Sequence, residues 1–373
     1  MKMIKTIKKY QDESSQLFVN KAEYVRKGIL EDDLLRKEYL FCRANKHNFM
    51  PESSIDDTIF FENIQAHKRL RIVEDKTEHN VLMDLISAEG NMNFLKDSSE
   101  KPHIFCSFHF GSFMQIGPYL NKLGIDFSVL TEPGINHRHL HPTVEAEQLE
   151  VMHSNSSGIL LNMIETLRSN KSLIVFLDGG KGSNLDMGRK SYASVDFLGK
   201  KYFVKKGIPA LSYIANVPII PVISYRTDKG EMKLFFGNPI EPTRTISREV
   251  FVNQTIQACF DLFTKYLLDN PEQFTLWHAL HQYIDIQTNT SNVNELPKVG
   301  KCCFNQNRYI FYHDEKARYL FDKVTLSCYA ISDGVWNLLQ KFPPDGVNVE
   351  WLYKSPNISL WQDFARKEIL VAA

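Results

Sequence analysis

Residues 102–113 read PHIFCSFHFGSF, and residues 172–182 read SLIVFLDGGKG. Each is an apolar run of strand length that breaks into a polar turn. A continuous apolar run with no alternation marks a strand buried on both faces. Helical spacing fills the intervals around these two runs. FMQIGPYLNKLG (113–124) reads as a helix stopped by Gly124, and LLNMIETLRSN (160–170) as another. IDFSVLTE (125–132), PIIPVISYR (218–226) and MKLFFGNPI (232–240) read as strands, with a short helix at PALSYIANV (209–217). A long amphipathic helix, 248–270, ends at Asn270-Pro271, where proline disfavours a helical predecessor. Strands alternating with helices predict an α/β fold, a layered sheet with helices on both faces.

Outward from this block the texture changes twice. Residues 1–95 are charged and mostly of helical period, including 12–30 and 79–96, and are expected to pack on the core. A polar stretch at 287–300, QTNTSNVNELPKVG, reads as a linker. Beyond it, RYIFYHD (308–314) and RYLFDK (318–323) read as strands joined by a turn at 313–317, and 332–342 as a helix. The expected domains are thus 1–95, 96–288 and a small C-terminal α+β domain at 299–373.

The 373 residues carry 44 Lys+Arg and 44 Asp+Glu, a formal charge of zero that gives no general attraction to nucleic acid. No apolar run approaches the ~20 residues of a membrane span, so at most peripheral membrane contact is expected. The start, MKMIKTIKKY, is basic without the apolar stretch of a secretory signal. Six scattered cysteines form no CxxC pair and read as reduced thiols of a cytoplasmic protein. No GxSxG, HExxH or GxGxxG stands at a useful place, which argues against serine hydrolases of the α/β type, zincins and Rossmann dehydrogenases.

The chemistry-bearing residues gather where the two buried runs end. His109 follows the first, and residues just past strand ends face the ligand crevice of α/β sheets. Imidazole is the natural general base near neutral pH, and the backbone amides at Gly111 and Ser112 suit a developing oxyanion. Asp178 follows the second run, before Gly179, Gly180, Lys181 and Gly182. That loop suits a phosphate or carboxylate, or an Asp that orients an imidazole. Lys200, Lys201, Lys205 and Lys206, interleaved with Phe197, Tyr202 and Phe203, suggest a basic and aromatic rim for an anionic substrate or acidic carrier. Arg189 is a further cationic candidate. The alternating His137, His139 and His141 lack an adjacent carboxylate or thiol and read as a polar loop; no metal site is expected.

Taken in order, four segments resemble the lysophospholipid acyltransferase superfamily, nearest the late acyltransferases of lipid A synthesis. They are HFGSF (109–113), the stretch from Leu173 to Gly182, residues 195–222, and PEQFTLWHAL (271–280). The resemblance spans roughly residues 100–282 and implies a glycerol-3-phosphate acyltransferase-like fold. It implies acyl transfer from a phosphopantetheine thioester, on an acyl carrier protein or CoA, to a hydroxyl or amine. No bound cofactor is implied. His109 would be the base. The family carries an acid five residues after this histidine, and here that position is Met114. Three outcomes follow: another carboxylate, first of all Asp178, supports His109; the acceptor is an amine needing weaker assistance; or the site is a non-catalytic binding cleft for an acylated or aminoacylated carrier or peptide. The tail from residue 299 resembles the PqqD-like peptide-recognition domains, which implies a precursor peptide held by strand addition.

Overall fold

The computed structural model describes residues 2–97, 101–132, 150–179, 191–284, 295–313 and 317–373. The chain forms two compact units. One comprises Met1–Lys27 with Ser54–Ile284, the other Gly28–Ser53 with Asp285–Ala373.

Three helices open the chain: α1 (Lys2–Val19), α2 (Lys21–Glu31) and α3 (Asp33–Phe49), the last within the second unit. The first unit continues with α4 (Asp57–Lys76), α5 (His79–Leu85), β1 (Ile86–Gly90), α6 (Phe94–Asp97) and β2 (Ile104–Ser107). Then come α7 (Ile116–Lys122), β3 (Phe127–Thr131), β4 (Glu150–His153), α8 (Ile159–Arg168) and β5 (Ser172–Phe176). The hairpin β6 (Tyr192–Phe197) and β7 (Lys200–Lys205) precedes α9 (Gly207–Ala215), β8 (Ile219–Arg226), β9 (Met232–Phe236) and α10 (Arg248–Asp269).

Seven strands form one sheet in the order β1-β9-β8-β2-β5-β3-β4. Every neighbouring pair is parallel except β8 with β9. The central β2 is buried at all four positions, as its unbroken apolar run requires of a parallel strand covered on both faces. On one face Phe105, Val129, Ile174, Val222 and Leu234 pack with Tyr10 of α1, Leu70 of α4, Leu82 of α5 and Leu120 of α7. On the other, Phe108 stacks on Phe263 of α10 with ring centroids 4.1 Å apart. Cys106 and Cys259 also meet there, and burial pushes both thiols up, Cys259 to about 12, so neither is a ready nucleophile. No helix among the described residues is long and apolar enough to cross a membrane.

Two readings of the sequence are corrected here. Residues 79–96 are not one helix: α5 stops at Leu85, and β1 pairs with β9, Ile86 opposite Met232. That partner lies far along the chain, so local periodicity does not report it. Residues 195–205 are a hairpin, its turn made by Leu198 and Gly199 at positive φ. Strand alternation sends Phe197 and Tyr202 inward against Phe260 and turns Lys201 and Lys205 out, while Lys200 is exposed because it begins the strand. The expected aromatic rim is core at these two positions.

The second unit holds β10 (Lys301–Phe304), β11 (Tyr309–His313), β12 (Arg318–Asp322), β13 (Cys328–Ile331), α11 (Asp333–Gln340), β14 (Val347–Asn348), α12 (Val349–Lys354), α13 (Ile358–Arg366) and β15 (Leu370–Ala372). Two three-stranded sheets, β14-β10-β15 and β11-β12-β13, share a core around Cys302, Leu320, Leu339, Leu352 and Trp361. The β11–β12 pair matches the hairpin read from the sequence, and its turn residues 314–316 lie outside the described residues, as does most of the expected linker. The partition departs from the expected boundaries at 1–95 and 299–373. Leu40 and Ala44 of α3 pack on Ile310, Tyr312 and Phe321, and Asn48 Nδ2 donates to the carbonyl of Lys323 at 2.8 Å. An amphipathic stripe shows that a helix is covered, not by which part of the chain.

Candidate functional site

Adjacent parallel strands bring the two sequence signals together. β2 and β5 pair Ser107 with Phe176, and Leu177 N–H donates to the carbonyl of Ser107 at 2.9 Å. Two residues further along each chain stand His109 and Asp178. The same offset from the same register places them side by side. His109 Nδ1 lies 2.8 Å from Asp178 Oδ1, and His109 N–H donates to Asp178 Oδ2 at 2.7 Å. One carboxylate thus grips both the ring and the backbone of the histidine. The acceptor at Nδ1 fixes the proton there and leaves Nε2 with a free lone pair. The Asp178 side chain is 2% exposed and that of His109 27%, so the ring is not sealed in the interior.

Aromatic walls limit the imidazole. Phe113 meets it edge-on at 4.9 Å and Phe176 is tilted against it at 4.8 Å. Gly179 closes a third side: a Cβ there would lie 3.0 Å from His109 Cε1 and would press on the ring. The Arg71 guanidinium stands 5.1 Å over the Phe113 ring, and burial draws its pKa down. A cation one ring away from the imidazole suits an anionic group near the reacting atoms.

The backbone after His109 is held from outside at each residue. Thr275 donates to the His109 carbonyl through both its N–H and its Oγ1, each at 3.2 Å. Phe110 forms a bridge to Phe274, and Gly111 N–H donates to the Gln273 carbonyl at 3.2 Å. Gly111 is the pivot, with φ +59°. A Cβ at this position would fall 2.4 Å from the Ser224 carbonyl oxygen, so both the dihedral and the space require glycine.

Ser112 does not open onto the His109 side with its hydroxyl. It is buried, and Oγ donates to Glu74 Oε1 at 2.9 Å. That oxygen also accepts from Arg226 Nη2 at 2.6 Å, Arg226 Nε at 3.2 Å and Tyr10 OH at 3.3 Å. Glu74 Oε2, equally buried, has no hydrogen-bond partner. Arg226 Nη1 also faces His67 Nδ1 at 3.3 Å, and the arginine has no acceptor, so it donates and that nitrogen accepts. Burial first, and the Arg226 charge second, hold His67 well below the usual histidine range. The imidazole is neutral, and the charges that act on Glu74 are those of Arg226, which it hydrogen-bonds, and of Arg71.

Of the other sequence candidates, Lys200 is exposed at the first position of β7. Gly180, Lys181, Gly182 and Arg189 lie outside the described residues, as do His137, His139 and His141. No cluster of metal-ligating side chains occurs among the described residues. Sequence reasoning missed Glu74, Arg71, Arg226, Gln273 and Thr275. Gln273 and Thr275 lay in a segment singled out by resemblance, whereas Glu74 sits in the run Glu-Asp-Lys, where nothing in the sequence separates it from its charged neighbours.

The sequence model described as bacterial lipid A biosynthesis acyltransferase matches residues 45–282. Among solved structures, the chain is similar to the 1-acyl-sn-glycerophosphate (LPA) acyltransferase PlsC from Thermotoga maritima, at 16% identity and a TM-score of 0.33. That alignment covers 69% of this chain and 98% of the other. Comparison with curated protein sequences gives no match.

Proposed function

Because the chain belongs to the bacterial lipid A biosynthesis acyltransferase family, we propose that it moves an acyl group from a carrier-protein or CoA thioester to a hydroxyl or amine, with His109 as general base. The carrying observation is the double grip of Asp178 on His109 at the ends of β2 and β5. Nε2 takes the acceptor's proton as its oxygen or nitrogen attacks the thioester carbon. Of the two amides expected to steady the tetrahedral oxyanion, that of Gly111 is already taken by the Gln273 carbonyl, which leaves the Ser112 N–H for that part. Collapse breaks the C–S bond, and the leaving thiolate takes the proton back from the imidazolium. Asp178 keeps Nδ1 protonated and balances the transient charge, the work given to the family's acid at the position that Met114 fills here.

Arg71 suits an anionic group on donor or acceptor, and the outward lysines of the β6–β7 hairpin suit an acidic carrier protein. The second unit is our candidate for a peptide partner, since β13 stands at the edge of its three-stranded sheet. A cytoplasmic site of action fits the thioester donor and six cysteines that form no disulfide. Met114 favours the rival reading, a cleft that holds an acylated carrier without turnover.

The deciding experiment supplies acyl-CoA and acyl-carrier donors with hydroxyl- and amine-bearing acceptors, and follows free thiol and product mass. Thiol release with a mass-shifted acceptor is expected. A protein that retains the donor but releases no thiol with any acceptor is the binding protein instead. Met114→Glu, which restores an acid in the motif, is expected to leave turnover within about twofold or lower it, because Nδ1 is already occupied and Met114 packs on the core cluster. A tenfold rise in kcat would show that Asp178 is not the supporting acid.

A further inference from the structure

We infer that the buried Glu74–Arg226 pair, acting through Ser112 and Gln273, is a positioning device for His109, so that the loop is set by two carboxylates, neither of which lies in its own motif. This rests on the reading of His109 as the base.

The observation is a closed circuit of hydrogen bonds. Ser112 Oγ donates to Glu74 Oε1, which receives Arg226 Nη2 and Nε. The Arg226 backbone is bracketed by one side chain: its N–H donates to Gln273 Oε1 at 2.8 Å, and Gln273 Nε2 donates to its carbonyl at 2.7 Å. The Gln273 carbonyl then accepts Gly111 N–H, which returns the circuit to the residue beside Ser112. The circuit joins α4, the end of β8 and the turn after α10 to residues 111 and 112, while Asp178 holds residue 109. Gly111, the pivot between, lies at a φ of +59° with its N–H held by the Gln273 carbonyl. With both ends pinned, the imidazole keeps one position. A misplacement of about 1 Å at a reacting group costs roughly a hundredfold in rate. The Ser112 hydroxyl is therefore not a substrate ligand but the link that transmits the core pair to the base.

Ser112→Ala tests this, because it removes one hydroxyl and leaves Glu74 with Arg226 and Tyr10. Turnover is read as thiol release from acyl-CoA with an acceptor that works, or with water. The His109 ring is read separately by NMR of histidine-labelled protein. The expected result is a kcat lower by about 10- to 100-fold, a KM for acyl-CoA within about twofold of wild type, and a shifted or split His109 signal. Thermal unfolding checks that the variant is folded, and Gln273→Leu, which cuts the same circuit elsewhere, is expected to give the same pattern. If kcat and the His109 signal match wild type in both variants, the inference is overturned. A kcat loss with an unchanged His109 signal, or a loss confined to KM, overturns it too, since Ser112 would then act on substrate. Should the wild type release no thiol at all, the proposed function falls, and the His109 signal alone decides the positioning role.

Discussion

Asp178→Asn is expected to lower kcat by about 10⁴-fold, the loss seen when the acid of a hydrolase triad becomes its amide, with the protein still folded. The reason is specific to the double grip. Asp178 accepts two donors from one residue, the His109 N–H at Oδ2 and the ring Nδ1–H at Oδ1. An asparagine has only one acceptor to offer. The backbone N–H cannot become an acceptor, so it claims the amide oxygen. The NH₂ group is then turned towards Nδ1, which must shed its proton and accept. The proton moves to Nε2, the atom that should take a proton from the acceptor, and the base is lost by tautomer inversion rather than by displacement. Nitrogen-15 NMR of the ring is the direct measurement, and thiol release gives the rate. His109→Ala is expected to cost about as much, and the double variant little more than either alone, because residues acting as a unit are not additive. An Asp178→Asn protein with a wild-type rate would remove Asp178 from the mechanism.

Arg226→Met is expected to destabilise the protein by about 3–5 kcal/mol, roughly 10 °C in Tm. Glu74 is fully buried, and its Oε2 has no partner. All of its compensation falls on Oε1, where Arg226 supplies two of the four donors. Taking the guanidinium away leaves a buried carboxylate with two hydroxyl donors; His67 beside it is neutral and lends no charge, and of the nearby cations only Arg71 remains. Replacing both partners, Glu74→Leu with Arg226→Met, is expected to recover much of the loss, since no charge is then stranded. Denaturant midpoints of the two variants measure the difference. The double variant would regain stability yet lack the anchor for Ser112, which separates holding the fold from holding the base.

How much of this was legible in the sequence depends on the range of the interactions. The strands at 104–107 and 172–176 announce themselves through unbroken apolar runs, and His109 and Asp178 through their place just past each run. Their meeting was open as one alternative, because an equal offset beyond two strands matters only if those strands are neighbours in register. The hairpin at 192–205 misled because lysines and aromatics lie close together along it, a composition shared by a recognition rim and by a half-buried ribbon. Glu74 was invisible for the opposite reason: its partner Arg226 lies 152 residues away, and helical period alone does not say which acid of a charged turn faces inward.

The division of the chain bears on how the protein is made. Helix α3 finds its apolar partners only when β11 and β12 exist. At a synthesis rate of about 5–20 residues per second, it waits roughly 15–55 s after leaving the ribosome before Phe321 follows it. During that interval the intervening first unit has time to collapse, while Leu40 and Ala44 stand bare. A nascent chain stalled near residue 300 would therefore show an orphaned helix, and that segment is where a trigger-type chaperone has most to gain by waiting.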